Sequence, residues 1–311
     1  MGVTATARAK LLLFGEHAAV YGHPAVGLSL PWRLTVTYRP GPRWELPDLG
    51  PYEASVRQLV DLYGQIARDE GLDPPVPGHL DFTNQMPIGN GFGSSGALCA
   101  ALVNLFFPEL PLTAKDRLAW RGEGLFHGTP SGIDTALSLR SGWSVLDPST
   151  RPVTATPLPD PNLVLVVGSV VRTSDTRRLV ESLARRKQSG DRIVTEALDH
   201  LGAVSDRAIE ALRARRPERL PGLVTQARTA LCALDLETPV LTAALEAGLG
   251  CPGALAAKLS GAGGGGAFYL LFADGPRAEA SLSRIERAVS PDQWTCPPRV
   301  IFSEKNTQEW H

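Results

Sequence analysis

Cysteine is scarce in this 311-residue chain, with only Cys99, Cys232, Cys251 and Cys296, and none of them forms a C-x-x-C pair. That excludes a disulfide framework and a thiolate zinc site, and reads as reduced thiols filling space. The six histidines include no H-E-x-x-H, so zincin chemistry has no footing. Neither sign of charge dominates: 31 Lys and Arg face 32 Asp and Glu, a formal charge of -1. Nucleic-acid binding would need a clustered basic excess, although a local patch for a phosphorylated ligand is compatible with this balance. No apolar run is long enough to span a bilayer. Lys10, Glu16 and His17 interrupt the amino terminus, and Leu11 to Phe14 is too short for a signal core. The expected compartment is therefore the cytoplasm.

What is present is ordinary for a folded chain: 43% apolar and 20% charged residues, enough for a sizeable core. The length suits two domains or one large one. Leu11–Phe14 reads as a short buried strand, Leu34–Tyr38 and His79–Thr83 as alternating strands, and Leu163–Val167 as a central strand. Helical spacing runs through Glu53–Glu70, from Ser94 to Pro108, over Thr176–Lys187 and over Ile193–Arg215. A shorter helical segment, Asp116–Gly122, ends just before Glu123. Ser94 or Ser95 is placed to cap the second of these helices. The proline-bearing segment Pro148–Pro161 marks the expected junction between an amino-terminal unit, 1–157, and a carboxy-terminal unit, 158–311.

The segment Pro87–Ile88–Gly89–Asn90–Gly91–Phe92–Gly93–Ser94–Ser95–Gly96 lies between a strand and a helix. Its glycines let backbone amides approach an anion, and the helix that follows offers N–H groups and a positive dipole end. A plain strand-to-helix turn with a serine cap accounts for the same letters. Gly91-x-Gly93-x-x-Gly96 also fits a dinucleotide fingerprint, but it does not open the first strand–helix unit, and no acidic strand end follows some twenty positions on. No Gly-Lys-[Ser/Thr] is present, so this is not a Walker A loop.

Three other segments carry chemistry. Lys10–Leu11–Leu12–Leu13–Phe14–Gly15–Glu16–His17 sets charged groups at both ends of a buried strand. His127–Gly128–Thr129–Pro130–Ser131–Gly132–Ile133–Asp134 delivers a carboxylate from a stiff loop, as a base or as a helix cap. Glu123 and Asp134 near a phosphate loop suit magnesium binding and proton acceptance. Lys258–Leu259–Ser260–Gly261–Ala262–Gly263–Gly264–Gly265–Gly266, read as joining a helix to an apolar strand, suits close packing against backbone or nucleotide.

Together, and in this order, the four segments resemble the motifs of the GHMP kinases, small-molecule kinases among which the mevalonate kinases are the most similar. Thr173–Val180 resembles that family's segment after the first carboxy-domain strand, with Thr176 in the threonine position. Thr135 stands where asparagine is usual, Gly96 where alanine is common, and Ser260 where threonine is frequent. The resemblance implies a two-domain α/β (α+β) fold, the first domain like ribosomal protein S5 domain 2 and the second ferredoxin-like. It implies ATP and Mg2+ as cofactors, with phosphates on Pro87, Gly89, Gly91, Gly93, Ser94, Ser95 and Gly96. Ser95 and Glu123 would hold the metal, Asp134 would act as base, and Lys10 beside it would stabilise developing negative charge. Glu16, His17 and Thr176 would contact the acceptor, and Gly261, Gly263 and Gly264 would support the site. The implied reaction is phosphorylation of (R)-mevalonate at its 5-hydroxyl, in isoprenoid precursor synthesis. Phosphomevalonate, the 3-hydroxyl of mevalonate or a sugar are the other acceptors, and a silent ATP-binding sensor is the non-enzymatic alternative. A small-molecule substrate, no nucleic acid, no membrane and an open question of homodimerisation complete the expectation.

Overall fold

The computed structural model describes residues 2–127 and 130–302, apart from the His127 side chain. Two antiparallel sheets, each covered by helices, form the frame. The first holds β1 (Val3–Phe14), β2 (Ala25–Pro40), β3 (Gly78–Asn84), β4 (Gly142–Asp147) and β5 (Thr154–Pro157), in the order β1-β2-β4-β5 with β3 also on β2. The long strand β2 makes this possible: Ala25–Ser29 pairs with β4 and Leu34–Pro40 with β3, while β1 runs along its other edge.

Its helices are α1 (Glu53–Glu70), α2 (Ser94–Phe106), α3 (Leu112–His127) and α4 (Ile133–Ser138). α1 is amphipathic at the spacing of its sequence, burying Val56, Leu59, Val60, Tyr63, Ile66 and Ala67. Each large apolar side chain among them contributes about 1.5–3 kcal/mol by leaving water. α2 is buried on nearly every side, because it lies between the first sheet and both α3 and α4. Its small residues, Gly96, Ala97, Ala100 and Ala101, let those neighbours come close.

The second sheet runs β7 (Ala254–Leu259), β8 (Gly266–Phe272), β6 (Val164–Val170), β9 (Trp294–Phe302). Its chain order is a ferredoxin-like split, with α5 (Thr176–Gln188), α6 (Arg192–Arg213), α7 (Leu220–Ala233) and α8 (Pro239–Leu249) filling the first crossover and α9 (Gly275–Arg287) the second. Asp175 and Asp191 cap α5 and α6 through their side chains. One hydrophobic core joins both sheets, from Leu11 and Val26 to Val166 and Phe268. No helix among the described residues is long and apolar enough to cross a membrane.

Four local expectations change. β1 begins at Val3, so Lys10 lies inside the strand instead of bounding it. α3 runs on to His127, so Glu123 lies within the helix; Gly122 does not end it but leaves the space that Tyr63 and Leu59 of α1 occupy. Ala254–Leu259 is a strand, which makes the glycine run a hairpin turn between β7 and β8. Neither serine caps α2: the cap position is Gly93, left-handed at φ 77°, and no side chain bonds there.

Candidate active site

β1 and α4 bring the two central groups together. The pairing of β1 with β2 shifts register between Arg8 and Lys10, and the Lys10 amide donates to the Phe92 carbonyl at 2.9 Å. This bond fastens the glycine loop to the strand. The Lys10 side chain, largely buried, places Nζ 3.1 Å from Asp134 Oδ1. Asp134 stands in the first turn of α4, whose cap is Gly132.

The loop itself is tied at several points. Asn84 Oδ1 accepts from the Met86 amide and its Nδ2 donates to the Met86 carbonyl. Ser94 Oγ accepts from the Gly89 amide at 3.2 Å, so this serine folds back to close the loop. The Asn90 carbonyl accepts from Ser169 Oγ of β6 at 3.1 Å, which anchors the loop to the second sheet. Gly93 meets two demands at once: its φ is positive, and a Cβ there would stand 2.7 Å from Lys10 Cγ and 3.5 Å from Asp134 Oδ2. Pro87 opens the loop, while Ser95 and Gly96 lie in the first turn of α2, where helix amides and the dipole favour an anion.

Gly96 has its own reason to lack a side chain. A Cβ there would come within 2.8 Å of the Asp134 carbonyl carbon and Cβ, and 3.0 Å of the Thr135 amide nitrogen. We therefore expect Gly96→Ala to push α4 off α2 and drag Asp134 from Lys10. A displacement well under 1 Å should lower kcat by about 10- to 100-fold with nucleotide affinity nearly unchanged. Steady-state kinetics beside a nucleotide titration would check this, and a wild-type kcat would show that α4 slides freely.

Glu123 is buried behind this pair. Thr135 Oγ1 donates to Glu123 Oε2 at 3.3 Å and also lies 3.1 Å from the Gly132 carbonyl. Burial above all, and then the charge of Asp134, push the Glu123 carboxyl up to about 8; Thr135 and Lys10 oppose this. A cation between the two carboxylates would offset the repulsion. The carboxylate oxygens here suit Mg2+, which prefers oxygen ligands and shares its shell with substrate phosphates, and Ser95 stands in the first turn of α2, next to Gly96, which packs on Asp134. Among the described residues no group of three or more His, Cys, Asp or Glu forms a closed metal cage.

The remaining predicted residues divide. His17 stands with φ 58° before a short turn at Ala18–Tyr21, and its Nε2 lies 3.0 Å from the Ala262 carbonyl. A carbonyl only accepts, so Nε2 carries the proton and Nδ1 remains an acceptor. Burial, aided by Lys258, holds the imidazole below its ordinary pKa and keeps it neutral. Glu16, expected at the acceptor, is instead sealed in the interface between the sheets. It is ion-paired to Lys258, and both side chains are 0% exposed. Thr176 is exposed in the first turn of α5 and accepts from Arg172 Nη1 at 2.6 Å. Gly264 receives the Thr173 amide at 2.8 Å and donates to the Leu236 carbonyl at 2.9 Å, and Gly263 packs on Leu236. Gly261 has open space around it.

Sequence reasoning gave Lys258 and Ser260 only a place in the glycine-run motif, and assigned no role to Tyr269 or Arg172. Ser260 Oγ accepts from the Leu12 amide at 3.1 Å and donates to its carbonyl at 2.8 Å. Tyr269 donates to the Leu13 carbonyl at 2.9 Å. A lysine within the otherwise apolar run Ala254–Leu259 was the available signal.

The model of the GHMP kinases N terminal domain matches residues 56–142, and that of the GHMP kinases C terminal matches residues 208–291. The mevalonate kinase of Thermococcus gammatolerans is 31% identical, with 87% of this chain and 89% of the relative covered. The chain belongs to the mevalonate kinase family of the GHMP kinases. The family member from Archaeoglobus fulgidus is likewise 31% identical, over 86% of this chain and 92% of its own. Among solved structures, L. major mevalonate kinase in complex with R-mevalonate shares the fold with a TM-score of 0.78, covering 97% of this chain and 96% of its own at 22% identity.

Proposed function

We propose that this enzyme transfers the γ-phosphoryl group of ATP to the 5-hydroxyl of (R)-mevalonate, giving 5-phosphomevalonate and ADP. The observation that carries the mechanism is the convergence of Lys10, Asp134 and Gly93: a base, its cation and the glycine loop meet within one van der Waals cluster. In this reading the unit 1–157 holds the nucleotide, its phosphates lying along Pro87–Gly96. The unit 158–311 closes the cleft from the other side.

The acceptor oxygen attacks the γ-phosphorus while the bond to the β-phosphate oxygen breaks, and ADP leaves. Asp134 takes the hydroxyl proton. Lys10, 3.1 Å from Asp134, offsets negative charge as it gathers on the transferred group. Ser95 and Glu123 would hold Mg2+, which when bound neutralises phosphate charge. Phosphoryl transfer asks mainly for positioning and charge neutralisation, so these few groups suffice. Lys10 also favours the 5-hydroxyl over the 3-hydroxyl as acceptor: by resemblance, some kinases of the 3-hydroxyl and the related decarboxylases lack that lysine.

An acceptor panel with phosphorus NMR of the products tests the assignment. Turnover confined to mevalonate with a 5-phosphate product is expected; preference for phosphomevalonate or a sugar would overturn it, and ATP binding without turnover would favour the sensor. The metal assignment has a separate readout. Burial and the Asp134 charge, which raise the Glu123 carboxyl to about 8, favour its protonated form at pH 7 before a metal binds. Binding of magnesium nucleotide should release that proton, and binding enthalpy should then vary with the ionisation heat of the buffer. Enthalpy independent of buffer, or the same variation in Glu123→Gln, would remove Glu123 from the metal site.

A further inference from the structure

Arg172 stands two residues past the end of β6 and is clamped by its neighbours: the Val171 amide donates to the Gln293 carbonyl and the Thr173 amide to the Gly264 carbonyl, both at 2.8 Å. Its half-buried guanidinium fills space that two distant glycines leave open. Nη2 lies 3.1 Å from where a Cβ of Gly91 would stand, and Nε lies 2.7 Å from that of Gly266. The group therefore wedges between the glycine loop and the start of β8. Of its five N–H donors, one goes to Thr176 Oγ1. Nε is buried and has no hydrogen-bond partner among the described residues. No carboxylate among the described residues lies within ion-pair distance, although the charges of Asp134 and Asp175 are felt there.

A guanidinium withdrawn from water without a counter-charge is costly. The other basic groups described above at this site are committed. Lys10 pairs with Asp134, Lys258 is sealed against Glu16, and His17 is neutral. We propose that Arg172 receives an oxyanion of a ligand bound in this cleft, supplied by the acceptor's carboxylate or by the terminal phosphate of the nucleotide. A planar fork of donors matches either group in a bidentate fashion. This deepens the reading above and rests on it for the identity of the acceptor.

The test compares wild-type enzyme with Arg172→Met and Arg172→Lys. It uses mevalonate, 3-methylpentane-1,3,5-triol (the acceptor with its carboxylate replaced by a hydroxymethyl group) and ATP alone. If the acceptor supplies the anion, Arg172→Met raises KM for mevalonate on the order of 10- to 100-fold, leaving kcat/KM for the triol and ATP affinity unchanged. If the nucleotide supplies it, ATP affinity and kcat fall for both acceptors. Kinetic constants and ATP affinity within about twofold of wild type, whether or not thermal stability drops, overturn the proposal and leave Arg172 a packing residue. Should Arg172→Met fail to fold, Arg172→Lys decides: a shift of about fivefold or more in the same constants supports it, and wild-type constants overturn it. Absence of wild-type turnover on mevalonate counts against the acceptor assignment instead, and an unchanged ATP affinity in the variant would then overturn the role of Arg172 as well.

Discussion

Asp134→Asn should lower kcat by on the order of 10²–10⁴-fold while leaving ATP affinity within a few-fold of wild type. The amide keeps the size of the carboxylate but cannot take a proton, and it abolishes the ion pair with Lys10 at 3.1 Å. α4 need not move, because its cap is the backbone of Gly132 and its apolar residues Ile133, Ala136 and Leu137 pack in their own cluster with Leu12 and Leu146. Lys10→Met should act in the same direction, since it removes the cation that offsets charge on the transferred group. Single-turnover measurements of both variants with ATP in excess separate chemistry from binding. Near-wild-type rates in both would show that the proton leaves by another route.

Lys258→Met carries the largest expected cost in stability. Lys258 and Glu16 are completely enclosed; Lys258 pairs with Glu16 Oε1, and Glu16 Oε2 has no hydrogen-bond partner among the described residues. Removing one member of such a pair leaves an uncompensated charge and costs about 3–5 kcal/mol, seen as a lower denaturant midpoint. The double variant Glu16→Gln with Lys258→Met should recover part of that loss, because nothing ionised is then enclosed. If the single and double variants unfold at the same midpoint, the pair is not coupled. Activity should fall in both, since the loop after Glu16 carries His17 onto Ala262.

The pattern of residues disclosed much of this molecule, and its omissions have identifiable causes. α1, α5 and α6 follow from their apolar spacing because each lays one face on a core and leaves the other in water. Val3–Arg8 escaped notice because it alternates Thr with Ala, and only pairing with Arg33–Tyr38 makes it a strand. Ala254–Leu259 is rich in good helix formers, yet partners on β8 override that preference. Gly122 read as a helix end, when its missing side chain makes room for Tyr63 of α1 against α3. At the site, Lys10, Asp134 and the glycine loop were legible because each lies in a local motif. Arg172 was not, since its place is defined by Gly91 and Gly266, residues far apart in the chain that only the tertiary fold sets side by side.

The double bond between Ser260 and Leu12 has a mechanical consequence. A hydroxyl that both accepts from and donates to one residue's backbone imitates a neighbouring strand, so β1 is stitched to the β7–β8 hairpin as though the two sheets shared an edge. Lys10 stands two positions before that stitch on the same strand. Any force that peels the hairpin away also tilts the ammonium off its carboxylate. Heat inactivation and parting of the two halves should therefore be a single event.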